Sequence, residues 1–149
     1  MFKKYTFWLT VAGILQFLTA AVHSLSFFVK PEPKNETERQ LYELLTTYKP
    51  DLGPHFYPTL GDIYAGLSAS FALLYLLGGW MNFYLLSKSL SPETMKGITA
   101  INTLIFGITF LIMLLHAFLP PIICTGLVFV ALSFAYATNH IHVIKLPED

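Results

Sequence analysis

The chain has 149 residues, of which 54% are hydrophobic and 12% charged, with a mean hydropathy of +0.58; this leaves too few polar side chains to cover a water-soluble globule. Nine Lys and Arg balance nine Asp and Glu, and the concentrated basic patch that phosphate binding requires is nowhere present, so nucleic acid is excluded as a partner. A lone cysteine, Cys124, excludes an internal disulfide.

Residues 5–29 carry no Lys, Arg, Asp or Glu. A bilayer's hydrocarbon core needs roughly 20 apolar helical residues at about 1.5 Å each, so this run predicts a first membrane span. Lys3 and Lys4 ahead of it, with the small residues Thr19, Ala20 and Ala21, imitate a cleavable signal peptide. The apolar run nevertheless continues through Phe27, Phe28 and Val29, well beyond a typical signal core, and is read as a retained span.

A loop over residues 30–58 follows. Pro31 and Pro33 end the first helix because proline lacks an amide donor and restricts the residue before it. Residues 35–49 predict a short amphipathic helix, with Asn35 as cap and Glu38 reaching back to the cap's own amide. Leu41, Leu44, Leu45 and Tyr48 share one face, suited to packing on the bundle, lying on a membrane surface or meeting a partner. Asn35-Glu36-Thr37 also matches a glycosylation acceptor, but the capping role explains the same residues.

The second span is expected over residues 59–87, beginning after Pro58 with Asp62 in its first turn. Ser91-Pro92-Glu93 opens the third, over residues 92–119: serine caps, proline takes the first helical position and glutamate complements the dipole. Pro120 and Pro121 separate it from the fourth, residues 121–144, and so short a connection makes the two antiparallel neighbours. The expected fold is a single all-α domain, an up-down-up-down bundle of four transmembrane helices with a short amphipathic helix between the first two.

Lys3, Lys4, Lys88, Lys96 and Lys145 fall on one side of this arrangement, in short segments near helix ends; Lys30, Lys34, Arg39 and Lys49 fall on the other. The positive-inside bias then predicts both termini in the cytoplasm. Tyr5, Phe7, Trp8, Trp80 and Tyr84 mark the inner interface, and Phe56, Tyr57 and Phe118 the outer.

Because successive spans alternate direction, His23, Asp62 and His116 all fall within ~10 Å of the outer helix ends, and His55 can join them from the loop. Ionisable groups at membrane depth are costly unless paired or facing a cavity, so they form a candidate site. Each has a plain rival: Asp62 as the acidic partner of a Thr59 cap, His116 as a donor to a helix-end carbonyl, and His23 as a packing histidine. Asp62, Ala65, Gly66 and Ala69 share a small-residue face that should turn Asp62 toward protein.

Three functions fit these residues. The first is a pocket for a small or lipophilic ligand lined by His23, Asp62, His116 and His55. The second is a haem or metal centre for redox chemistry that takes His23, Asp62 and His116 as ligands. The third is a proton-coupled transporter, which four spans would form only as a homo-oligomer, with a path toward Asn102. At the opposite face, Asn102 suits an interhelical hydrogen bond, while Asn139, His140 and His142 are expected at the interface. Soluble-style catalytic signatures are absent from the sequence, among them phosphate-binding glycine loops and His-Glu-x-x-His.

Gly61-Asp62-Ile63-Tyr64-Ala65-Gly66 followed by Ser70, a histidine near the end of the first span, and Phe118-Leu119-Pro120-Pro121 together resemble a family of short bacterial four-pass membrane proteins. In general plan the chain is also similar to DoxX-like proteins. That family favours an aromatic residue immediately before the aspartate, where Gly61 stands here. The resemblance implies a bacterial inner-membrane location and supplies no mechanism.

Overall fold

The computed structural model describes residues 4–29 and 32–139. Five helices follow one another: α1 (Tyr5–Leu25), α2 (Glu36–Thr47), α3 (Leu60–Leu86), α4 (Pro92–His116) and α5 (Leu119–Thr138). All but α2 are long and apolar enough to cross a membrane, so the all-α, four-span reading holds. Their surfaces are greasy: Leu18, Leu73, Leu77, Ile101, Leu104 and Leu115 are each more than half exposed, whereas Gln16, Asn82 and Thr125 are fully buried. Apolar outside and polar inside is the arrangement that hydrocarbon solvent imposes.

Helix ends follow local chemistry and depart from expectation in three places. α1 stops at Leu25, four residues short of Val29. There the Ser24 hydroxyl takes the Ala20 carbonyl, the Ser26 hydroxyl takes that of His23, and the amides of Ser26, Phe27 and Phe28 tighten to carbonyls three residues back. α4 ends at His116, and Pro120 and Pro121 lie inside the first turn of α5, which starts at Leu119. Proline fits there because first-turn amides have no intrahelical acceptor. α5 ends at Thr138, where residues out to 144 were expected to continue; His140, His142, Lys3, Lys30, Pro31 and Lys145 lie outside the described residues.

The caps form largely as anticipated. Asn35 Oδ1 accepts the Glu38 amide at 2.8 Å, but the Glu38 carboxylate reaches one residue beyond the cap, to the Lys34 amide at 2.7 Å and the Asn35 side chain at 3.1 Å. The Arg39 guanidinium, 2.8 Å from Glu36, holds that exposed carboxyl below the usual carboxylate range, with Gln40 adding a second hydrogen bond. Ser91 Oγ accepts the Thr94 amide at the start of α4.

The chain divides into two compact units, each taken by itself. One comprises the described residues of Met1–Thr19 and Tyr75–Asp149. Within it, α4 and α5 pack through reciprocal notches: Phe129 lies over Gly107 and Phe110 over Gly126, where an added Cβ would stand 2.9 Å from each ring, and the two rings stack at 6.0 Å. Gly13 admits Phe83 in the same way, and Trp8 stacks on Phe134 at 4.7 Å.

At the centre of this unit Asn82 donates to Gln16 Oε1 at 2.8 Å and accepts from Asn102 at 3.3 Å, joining α1, α3 and α4 through amides. Gly78 makes this possible, since a Cβ there would stand 2.5 Å from Gln16 Nε2. Asn139 is buried and donates to the Pro92 carbonyl at 3.1 Å, tying the end of α5 to the start of α4. Lys88 lies over the Tyr84 ring and Lys96 over Tyr136, cation–π contacts typical of a water–lipid boundary.

Candidate functional site

The second unit, Ala20–Leu74, holds the end of α1, the connecting loop with α2 and the first half of α3. α2 is anchored at its C-terminal end. The Leu60 amide donates to the Tyr48 carbonyl at 3.0 Å, and Gly61 lies so close under α2 that a Cβ would meet the Leu45 carbonyl oxygen at 2.9 Å. The aromatic residue that the resembling family favours at position 61 has no room in this packing.

Thr59 and Asp62 form a reciprocal cap for α3. The Asp62 carboxylate accepts the Thr59 amide at 2.9 Å and its hydroxyl at 2.8 Å, while the Asp62 amide donates to Thr59 Oγ1 at 3.1 Å. Asp62 is therefore engaged in ending the helix, and it is exposed. The small-residue face expected to turn it inward is not the packing face: Gly66 has nothing within 4 Å of its Cβ position. The side of α3 that packs in this unit carries Gly61, Ser68, Phe71 and Ala72, one residue out of register with that expectation.

His23, half-buried in the last turn of α1, meets Ser68 instead of a carboxylate. Its Nε2 lies 2.7 Å from Ser68 Oγ, and the ring is flanked by Phe71 at 4.9 Å and Phe27 at 6.2 Å. His55 is exposed in a tight turn, with φ of 74° beside Gly53 at 100°. The turn is closed by the Phe56 amide on the Gly53 carbonyl at 3.4 Å. His116 belongs to the other unit, exposed at the end of α4.

Within this unit His23 and Asp62 thus have separate partners, Ser68 and Thr59. Among the described residues no group of three or more His, Cys, Asp or Glu is placed to hold a metal ion. The physical reason is local: a threonine cap takes the acid and a serine takes the imidazole.

Beside the His23–Ser68 pair lies a cleft of about 700 Å³, walled by Ser26 and Phe27, by Leu41, Tyr42, Leu45 and Thr46 of α2, and by Leu60, Gly61, Tyr64, Ala65 and Ser68 of α3. Among the described residues no charged side chain lines it. Its volume falls within the range of small-molecule sites, ~300–1,000 Å³, and its character matches them: mostly apolar walls with a few polar groups. Ser68, which sequence reasoning missed, connects the cleft to His23. No protein family, curated protein or solved structure matches this chain.

Proposed function

We propose that this is an integral protein of the bacterial inner membrane, with both termini cytoplasmic, that binds a lipophilic ligand in the cleft between α2, the end of α1 and the start of α3. The single observation that carries the reading is the cleft itself, of ligand size and uncharged among the described residues, with Ser68, held from behind by His23, on its wall. Four apolar spans and the positive-inside distribution of Lys88 and Lys96 support the location and orientation. His23 contributes through Ser68; Asp62 sets the start of the helix that forms one wall; His55 shapes the loop.

A second hollow, about 490 Å³ between α4 and α5, fits a ligand less well. Its polar groups are the Thr103 hydroxyl, already committed to the Thr99 carbonyl, and Tyr136, whose ring is taken by the Lys96 ammonium.

The test is to purify the full chain and its Ala65→Trp variant in mild detergent and identify co-purifying lipophilic molecules by mass spectrometry. Ala65 is exposed and lines the cleft, so an indole there fills the space without entering a core. The wild type is expected to carry a defined species that the variant lacks. The same profile from both proteins would refute the reading.

A further inference from the structure

Resting on the cleft reading, we propose that Ser68 selects the occupant, and that the occupant is an ester-linked lipid whose acyl carbonyl accepts the Ser68 hydroxyl proton. The first observation concerns what Ser68 does not do. Serines and threonines within helices ordinarily hand their proton to the carbonyl four residues earlier. Thr19, Ser24, Ser70, Thr103, Thr125 and Ser133 of this chain all do so, at 2.8 to 2.9 Å. Ser68 makes no such bond to Tyr64; its hydroxyl is held 2.7 Å from His23 Nε2.

The second observation is the setting. With Nε2 protonated, the imidazole donates to Ser68 Oγ, and the serine's own proton is free for an acceptor in the cleft that Ser68 lines. The described residues that wall it carry no charge, which suits the neutral carbonyl and upper acyl chain of a lipid, not its headgroup. Ser68 lies eight residues after Leu60, the start of α3. That is ~12 Å along the helix axis from its start, within the loop-side half of a ~30 Å hydrocarbon core. An ether-linked lipid has the same shape there but lacks the carbonyl.

The experiment titrates the full chain with dioleoyl phosphatidylethanolamine and with its dialkyl ether counterpart, reading bound lipid by native mass spectrometry. The wild type is expected to retain the ester about fivefold better, the worth of one neutral hydrogen bond. Ser68→Ala should bring the ester down to the ether's level while leaving the ether unchanged, and His23→Gln, which keeps a side-chain N–H, should preserve part of the preference. Ala65→Trp should lower both lipids. Equal retention of ester and ether by the wild type, with both still lost in Ala65→Trp, would overturn the selection and leave the cleft standing. Retention of both lipids by Ala65→Trp would overturn the cleft reading and the selection with it.

Discussion

Asp62 and Gly78 show how differently two residues in one helix are constrained. Asp62 serves the start of α3 through Thr59, so Thr59→Ala should cost about 1 kcal/mol of stability, the usual worth of an N-cap. The double variant Thr59→Ala/Asp62→Ala should lose little more, because the two side chains act as one unit. Thermal unfolding in detergent would check this; additive losses would mean Asp62 has another task. Gly78→Ala forces Gln16 Nε2 away from its seat and should cost about 1–3 kcal/mol by overpacking. Gly66→Ala, in open space on the same helix, should instead gain up to about 1 kcal/mol from helix propensity. The cap was legible in the sequence because Thr-x-x-Asp is a local pattern. The Ser68–His23 pair was not, since it depends on how two helices lie in register, and hydropathy does not specify that.

Among the elements, α3 contributes to both compact units. Gly61, Ser68, Ala72, Tyr75, Gly79 and Asn82 recur at steps of three, four and seven, and together they form its inward stripe. The sequence carries this stripe as plainly as the one chosen first, Asp62, Ala65, Gly66 and Ala69; small residues mark both, and only contact with neighbouring helices separates them. Asn82 gives the stripe its polar centre. Asn82→Leu should destabilise the protein by about 1–2 kcal/mol, because the Gln16 carbonyl oxygen loses its donor inside a dry core. Gln16→Leu/Asn82→Leu should recover part of that loss, since the Gln16 amide is removed with its partner and only the half-buried Asn102 amide is left to find another acceptor. A double-mutant cycle of unfolding in detergent reads the coupling directly, and zero coupling would mean the amides pack without bonding.

For the molecule as a whole, the four spans were readable from composition and charge-free runs, because lipid requires long apolar helices, and the amphipathic helix from its Asn35 cap and apolar face. Their ends shifted by one to six residues: serine hydroxyls close α1 early, prolines open α5 inside its first turn, and Asn139 caps α5 at Thr138. Orientation yields a separate expectation. In a Cys124→Ser background, a membrane-impermeant maleimide applied to intact cells should label Glu43→Cys on α2 and leave Ser89→Cys, between α3 and α4, unlabelled until the cells are opened. The reverse pattern would place the termini outside.

The claim on which the functional account turns is that a lipid chain enters the cleft beneath α2. A phospholipid bearing a photoactivatable diazirine on its upper acyl chain, incorporated with the protein into vesicles and irradiated, tests it most directly. The account predicts adducts concentrated on Leu41, Leu45, Tyr64 and Ala65, and their loss in Ala65→Trp. Adducts spread evenly over outward residues such as Leu73 and Leu77, unchanged by that substitution, would contradict it.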